Sequence, residues 1–250
     1  MHKFRLLVEY DGGPFVGWQR QDNGPSIQEA LEDAVYALSG ETALVQGAGR
    51  TDAGVHALGQ VAHVEMTKEF PADTVRDALN HHLRPHPISV LEATVADKDF
   101  HARFSATGRA YLYRILNRRP APALDIGKVW WVPVPLDADA MHDAAQRLIG
   151  HHDFTTFRAS ECQAQSPLKT LDKLTVARAG AEIHVVAEAR SFLHHQVRNF
   201  VGTLRLIGEG KWQPRDIESA LAKKDRSAGG PTAPAEGLYL TRVDYADDVA

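Results

Sequence analysis

Cysteine is almost absent from this sequence. Cys162 is the single cysteine among 250 residues, so no disulfide can form within the chain. A chain of this length without disulfides is typical of a reducing compartment. No apolar run approaches the roughly 20 residues that a membrane-spanning helix needs, and the N-terminus shows no long apolar signal segment. These absences predict a cytoplasmic protein that does not enter membranes.

Metal-binding motifs are also missing, although the chain has 13 histidines. There is no His-Glu-x-x-His sequence and no second cysteine. Three pairs of histidines are adjacent in the chain, and adjacent side chains point in different directions in either a helix or a strand. The pairs are His81/His82, His151/His152 and His194/His195. We therefore expect no metal.

The net charge of −4 does not by itself indicate a nucleic-acid partner, but the charge is unevenly distributed. Between Lys98 and Arg119 there are six lysines and arginines and one acid, Asp99. Aromatic residues alternate with these cations, as suits an RNA backbone with stacked bases. The alternative is a solvated face over half-buried aromatics. The aromatic residues are Phe100, Phe104, Tyr111 and Tyr113.

The first half of the chain alternates between strand and helix patterns. A helix is expected to begin after Ser26, which forms a capping box with Glu29, and to stop at Gly40. The predicted order is β-α-β-β-α-β, that of the ferredoxin-like split unit in an α+β fold. The predicted strands are 4–10, 44–46, 60–65 and 88–95, and the predicted helices are 27–38 and 72–82.

The second half has a similar order of elements without a visible sequence repeat. Residues 171–178 and 182–189 form a predicted hairpin around Gly180. Further strands are predicted at 110–116 and 238–243, and helices at 138–149, 193–207 and 214–223.

Asp52 stands between glycines just after a predicted short strand. Gly47 and Gly49 permit positive φ and the close approach of a large flat partner. If the extended conformation continues, Arg50 and Asp52 share one face, and the guanidinium would keep the carboxylate ionised, as suits a nucleophile. The alternative is a turn capped by Asp52 beside a surface arginine.

Residues 49–56 (GRTDAGVH) resemble the signature of the TruA-type pseudouridine synthases, which act on the anticodon arm of tRNA. Five further segments match the same family in the same order, so the resemblance covers essentially the whole chain. They are residues 9–12 (EYDG), 17–21 (GWQRQ), 100–106 (FHARFSA), 192–199 (FLHHQVRN) and 236–240 (EGLYL).

The resemblance implies a tRNA pseudouridine synthase that isomerises uridine at positions 38, 39 and 40 of the anticodon stem-loop. It implies an α+β fold with two ferredoxin-like halves joined in a mainly antiparallel sheet, with a central RNA-binding cleft. Residues 1–105 would carry the catalytic Asp loop, and residues 106–250 the active-site Tyr and Arg. A homodimer is implied as well. The reaction needs no redox change and no external group, so no cofactor is expected.

By the same resemblance, Asp52 is the catalytic nucleophile, Tyr111 the active-site tyrosine that stacks on the uracil, and Arg198 the cation paired with Asp52. Tyr113 is interpreted as a core aromatic. The residues leave open whether the carboxylate attacks C1′ or uracil C6, or instead stabilises or deprotonates an intermediate.

Three further residues are expected to bind the substrate. By the same resemblance, Leu238 would form an apolar wall of the uracil pocket. Arg50 would hold the gap left by a flipped nucleotide or grip its phosphate. Arg103 belongs to the basic, aromatic segment.

Two rival interpretations stay open. One is a non-catalytic tRNA-binding or tRNA-chaperone protein on the same fold. The other is that Cys162 is a nucleophile that attacks uracil C6, although this cysteine lacks a local activating motif. A methyltransferase is disfavoured because no convincing glycine-rich cofactor loop follows a strand.

Overall fold

The chain folds into two compact units. The computed structural model describes residues 1–246. The first unit comprises Met1–Thr107 with Tyr239–Ala250, and the second comprises Gly108–Leu238. Residues 1–246 contain five α-helices and mainly antiparallel strands, so the predicted α+β class is confirmed. The last four residues of the predicted C-terminal half, 247–250, lie outside the described part.

The first unit is a sheet flanked by two helices. Its strands lie in the order β4-β1-β3-β11, and the short β2 also pairs with β3. All pairings are antiparallel except β11 with β3, which run parallel at Tyr239 and Leu240. The elements are β1 (His2–Tyr10), α1 (Ile27–Ser39), β2 (Gln46–Gly47), β3 (His56–Met66), α2 (Ala72–His82), β4 (Ile88–Val95) and β11 (Leu238–Tyr245).

Helix α1 forms where the capping signals predict it. The N–H of Glu29 donates to Ser26 Oγ (3.2 Å), and Gly40 closes the helix in the left-handed conformation, with φ 73°. Ile27, Leu31 and Val35 recur at helical spacing and are fully buried. Burying one such side chain contributes roughly 1.5–3 kcal/mol, so the apolar face rather than helix propensity holds α1 on the unit.

The second unit has two separate ladders. Strands β5, β10 and β9 form an antiparallel sheet in that order, with β6 added parallel to β5, and β7 pairs with β8. The elements are β5 (Ala106–Leu116), β6 (Trp130–Trp131), α3 (Ala138–Gln146), β7 (Gly150–Asp153), β8 (Leu168–Leu171), β9 (Lys173–Ala179), β10 (Glu182–Ala189), α4 (Gln196–Gly208) and α5 (Asp216–Lys223).

Three short helical turns complete the second unit, at Thr155–Phe157, Arg226–Ala228 and Ala235–Gly237. Its core contains a cluster of three fully buried aromatic rings, Phe154, Phe157 and Phe200, whose centroids lie 5.0–6.4 Å apart. Such pairs add about 0.5–1.5 kcal/mol beyond the area they bury. Among the described residues, no helix has the length and apolar character to cross a membrane.

Several elements differ from the prediction. The strands β6, β7 and β8 were not predicted, because two to four residues carry no readable alternation. Helix α4 begins at Gln196 rather than 193, since His195 takes a positive φ of 61°. Strand β3 begins at His56 rather than 60, because Gly59 interrupts the strand pattern.

A histidine is buried in the sheet of the first unit. His63 on β3 accepts a hydrogen bond at Nδ1 from the N–H of Ala102 (3.2 Å), and its ring centroid lies 4.7 Å from that of His101. Burial lowers the pKa of His63 to about 4, and the positive charges of His101 and Lys3 act in the same direction against Glu65. The folded protein therefore holds this imidazole neutral.

This burial predicts a loss of stability in mild acid. An unfolded histidine binds a proton near its ordinary pKa of about 6.5, whereas folded His63 does so at about 4. Its contribution is therefore complete above pH 6.5, is lost as the pH falls toward 4, and amounts to at most about 3 kcal/mol. Urea unfolding of the wild type and of His63→Gln across this range measures it.

The glutamine can still accept the hydrogen bond from the Ala102 N–H but does not titrate. The free energy of unfolding of His63→Gln should therefore depend less on pH than that of the wild type. Parallel curves for the two proteins would show that His63 is not responsible.

Candidate active site

The loop that carries Asp52 joins β2 to β3 and is fixed through its main chain. Asp52 forms an isolated antiparallel bridge with Gly17. The N–H of Trp18 donates to the carbonyl of Thr51 (3.0 Å), and the N–H of Val55 donates to that of Asp52 (3.1 Å). The Asp52 residue is partly exposed. A rigid backbone therefore presents a carboxylate at the end of the sheet.

The close approach of residues 12–18 to this loop requires glycine at position 17. Gly17 has a φ of 118°, a region that side chains rarely adopt, and a Cβ built there would lie 2.6 Å from the carbonyl oxygen of Thr51. No real Cβ sits so close to a backbone oxygen. The sequence segment 17–21 thus has a structural task, which is to pack its main chain against the Asp52 loop.

The other face of the Asp52 loop is buried and polar. Thr51 Oγ1 and the hydroxyl of Tyr10 are hydrogen-bonded at 2.8 Å. His56 is 1% exposed, its Nδ1 lies 3.0 Å from both the Gly12 nitrogen and Asp11 Oδ1, and its ring stacks on Tyr239 with centroids 4.7 Å apart. Sequence reasoning assigned no role to Thr51, His56 or Tyr10. Each acts through a residue far away in the chain, which leaves no local signal.

The two arginines predicted to contact substrate in the first unit are both exposed. Arg50 lies in the Asp52 loop itself, two residues before Asp52. Arg103 lies in the turn 101–105 with its guanidinium carbon 5.5 Å from the ring centroid of Phe104. Phe104 is 73% exposed. This turn therefore presents a cation and an aromatic ring together at the surface.

The turn is rigid because its polar groups are paired internally. His101 Nδ1 accepts from the N–H groups of Arg103 (3.1 Å) and Phe104 (3.4 Å), and the N–H of His101 donates to Ser105 Oγ (3.0 Å). The Nε2 atom of His101 lies 3.2 Å from Gln46 Oε1 on β2, the strand that leads into the Asp52 loop.

In the second unit, the two tyrosines of β5 have different surroundings. Tyr111 is half-buried, and its ring packs edge-on against Phe192 with centroids 5.2 Å apart. Tyr113 is fully buried and donates its hydroxyl proton to the carbonyl of Pro234 (2.7 Å). Burial raises the pKa of Tyr113, with the nearby Arg198 charge acting in the opposite direction. The interpretation of Tyr113 as a core aromatic is confirmed.

Arg198 lies in the first turn of α4, whose apolar face is buried as predicted. Its Nε donates to the carbonyl of Ala233 (2.8 Å), and its own carbonyl accepts from the N–H of Ala233 (3.1 Å). This two-way pairing ties both the backbone of Arg198 and its side chain, at Nε, to the main chain of Ala233. The buried apolar residues of the helix are Val197, Phe200, Val201, Leu204 and Ile207.

Leu238 is 6% exposed and follows the turn Ala235–Gly237 at the start of β11. The predicted site residues thus divide between the units. Asp52, Arg50 and Arg103 belong to the first, and Tyr111, Arg198 and Leu238 to the second. The first unit thus holds an acid and two exposed arginines, and the second holds a half-buried tyrosine and a half-buried arginine.

In the first unit, a carboxylate in a loop fixed by main-chain hydrogen bonds, with exposed arginines and an exposed aromatic ring, suits chemistry on a nucleotide. The sequence model of the tRNA pseudouridine synthase family matches residues 6–105 and 144–246. The chain belongs to this family, whose members are isomerases acting on tRNA.

Proteins of the same family match this chain over almost its full length. The protein called tRNA pseudouridine synthase A in Paramagnetospirillum magneticum is 66% identical over 245 residues, which cover 98% of this chain and 96% of that protein. The proteins of the same name in Rhodospirillum centenum and Rhizobium meliloti are 63% and 59% identical, each match covering 98% of this chain and 100% of the relative.

Gly17→Ala should destabilise the protein through the Asp52 loop. The substitution forces an unfavourable φ, which costs about 1–2 kcal/mol, and also displaces the Thr51 carbonyl. We expect a loss of at least about 3 kcal/mol in the free energy of unfolding, measured by urea denaturation.

Gly40→Ala is the matched control, because Gly40 also has a positive φ but open space around the added Cβ. It should lose only about 1–2 kcal/mol. Equal losses for the two variants would contradict the close packing of residue 17 on the loop.

Proposed function

We propose that this chain converts uridine to pseudouridine at positions 38, 39 and 40 of the tRNA anticodon stem-loop. The observation that carries the proposal is the partly exposed Asp52, held by main-chain bonds within the segment that resembles the family signature. The reaction breaks the N1–C1′ bond, rotates the uracil and forms a C5–C1′ bond. The proton on C5 is lost and N1 gains one, so the composition is unchanged and no co-reactant is needed.

In this proposal Asp52 is the nucleophile, attacking either C1′ or uracil C6. A carboxylate can form a covalent bond to an anomeric carbon, as glycosidases do. Arg198 is the cation that pairs with it, and a guanidinium suits this task because it offers a planar fork of donors to a carboxylate. The half-buried position of Arg198 supports the role, since an ion pair is stronger when water is partly excluded.

Tyr111 stacks on the uracil, with its phenol near the proton to be removed from C5. The edge-on packing against Phe192 supports this role, because it fixes the ring while part of Tyr111 stays accessible. Leu238 is the apolar wall of the uracil pocket. Arg50 holds the gap in the RNA or grips the phosphate of the nucleotide that leaves the stack.

The finer architecture is part of the same proposal. Residues 1–105 and 106–250 are two ferredoxin-like halves joined in one sheet, with the RNA in a central cleft. The order of β1, α1, β2, β3, α2 and β4 in the first unit supports the first of these halves. A homodimer in the cytoplasm completes the proposal, which rests on the family resemblance and on the single cysteine.

The turn 101–105 is proposed as an RNA contact. An exposed aromatic ring beside an exposed arginine provides a face for base stacking and a charge for phosphate. Because the hydrogen bonds of His101 hold this turn in shape before RNA arrives, little conformational entropy is lost on binding.

Replacement of Asp52 tests the chemistry. Asp52→Ala should abolish the release of tritium from tRNA that carries C5-tritiated uridine, with a rate at least about 1,000-fold below wild type. The control is Asp33→Asn, which removes an exposed acid from α1 and should leave the rate unchanged.

Release by both wild type and Asp52→Ala would establish the activity and discard Asp52 as its centre. If the wild type binds several tRNAs but releases no tritium, the chain is a tRNA-binding or chaperone protein instead.

Replacement of Phe104 tests the RNA contact. Phe104→Ala should raise the Kd for tRNA about tenfold, since stacking of one base contributes about 1–3 kcal/mol. Arg103→Gln should weaken tRNA binding. It should also reduce the slope of log Kd against log salt concentration by about the amount that one phosphate contact contributes.

Leu91→Ala is the control, because Leu91 is an exposed apolar residue on β4 of the same unit. An unchanged Kd for Phe104→Ala would remove the turn from the RNA surface. A change of oligomeric state in light scattering would assign Phe104 to a protein contact.

A further inference from the structure

Arg226 is a partly buried cation whose hydrogen-bond partners within residues 1–246 are all neutral. It begins the helical turn Arg226–Ala228 in the second unit. Its Nη1 donates to the carbonyl of Gly230 (2.9 Å), and its Nη2 donates to Asn199 Oδ1 (3.0 Å) and to Thr232 Oγ1 (3.0 Å). All three acceptors are neutral. Within residues 1–246, no carboxylate lies at ion-pair distance from this guanidinium.

Taking a charge partly out of water without a carboxylate to offset the loss is costly, so the position of Arg226 calls for a reason. Burial lowers the pKa of Arg226, and no opposing charge within the described residues offsets this. A carboxylate here would satisfy Arg226 better. Three neutral acceptors hold Arg226 in its place instead.

The acceptors of Arg226 belong to two segments that meet at Arg198. Gly230 and Thr232 lie in the loop 229–234, and Asn199 lies in α4 directly after Arg198. The hydroxyl of Thr232 donates to Asn199 Oδ1 (2.7 Å), which closes a ring of hydrogen bonds with the guanidinium. Arg226 therefore ties the loop to the helix.

The next residue of the loop holds Arg198 itself. Ala233 accepts from Arg198 Nε (2.8 Å) and donates to the Arg198 carbonyl (3.1 Å). A displacement of Gly230 or Thr232 thus moves the main chain that sets the direction of the Arg198 side chain.

Close packing leaves the loop little freedom of its own. A Cβ on Gly202 would lie 1.7 Å from the carbonyl oxygen of Pro231, so the loop rests directly on the helix backbone. The N–H of Gly230 donates to Thr203 Oγ1 (2.9 Å), whose hydroxyl proton goes to the Asn199 carbonyl (2.8 Å). The contact with Thr203 holds Gly230, and the Arg226 guanidinium holds the following part of the loop at Thr232, the residue before Ala233.

We propose that Arg226 is a positioning residue, which sets the geometry of Arg198 through the loop 229–234 and touches neither RNA nor the reacting atoms. The inference rests on the proposed function in one respect, the catalytic role of Arg198. The coupling between Arg226 and Arg198 is independent of that role and can be measured separately.

Kinetics on the full-length protein test the consequence for catalysis. Arg226→Gln should lower the single-turnover rate of pseudouridine formation about 10- to 100-fold, the effect of a small misplacement in an active site. The Kd for tRNA should stay within about twofold of wild type. Arg226→Lys should restore only part of the rate, since an ammonium keeps the charge but cannot reproduce the planar fork. The control is Arg215→Gln, which removes an exposed arginine at the start of α5.

A double variant separates positioning from general damage. If Arg226 acts through Arg198, the loss in Arg226→Gln/Arg198→Lys is smaller than the product of the two single losses. Should Arg226→Gln fold poorly, Thr232→Val removes one acceptor of the guanidinium at nearly constant shape, and a several-fold loss of rate is expected.

The NMR signal of the Arg198 Nε–H, assigned by its loss in Arg198→Lys, reports the coupling without any activity. It should shift in Arg226→Gln and stay in place in Arg215→Gln. An unshifted signal in Arg226→Gln overturns the inference, as does a rate equal to that of Arg215→Gln. A raised Kd of Arg226→Gln for tRNA with a reduced salt slope also overturns it, because Arg226 would then be a phosphate contact. A shifted signal in a wild type that forms no pseudouridine would leave the coupling standing and remove the proposed function.

Discussion

Backbone groups in irregular segments must find hydrogen-bond partners that no helix or strand supplies. The positions of the Asp52 loop and of Arg198 both depend on such main-chain hydrogen bonds. In the first unit the Asp52 loop is paired with the chain around Gly17. In the second, Arg198 and Ala233 exchange two hydrogen bonds. Asp52 is placed by the main-chain pairing of its loop, and the Arg198 side chain is held by the hydrogen bond from its Nε to the Ala233 carbonyl.

The regular elements of the fold could be predicted where local chemistry decides them. Helix α2 and strands β4 and β10 have the predicted bounds, and α1 begins at its predicted cap. Capping residues, apolar period and a glycine stop are all encoded within a few positions. The short strands β6, β7 and β8 were missed because distant partners define them rather than their own pattern.

The candidate site was predicted less evenly. The Asp52 segment is conspicuous in the sequence because glycines surround an acid and an arginine. The roles of Tyr111 and Arg198 came from the family resemblance, since a tyrosine on a strand and an arginine on a helix are ordinary. His56 and Arg226 received no role, although His56 is hydrogen-bonded to Gly12 in the first unit and Arg226 to Asn199 in the second. The Gly12 partner of His56 and the Asn199 partner of Arg226 are 44 and 27 positions away in the chain, a separation that periodicity and spacing cannot bridge.

The first unit is built from both ends of the chain. Strand β11 pairs with β3 at Tyr239, the ring of Tyr239 stacks on His56, and the hydroxyl of Tyr245 donates to the Ala102 carbonyl (2.7 Å). During synthesis these partners emerge after the whole second unit. The ribosome therefore releases the Asp52 loop long before the strand that completes its support, so the second unit can finish folding first although its chain begins later.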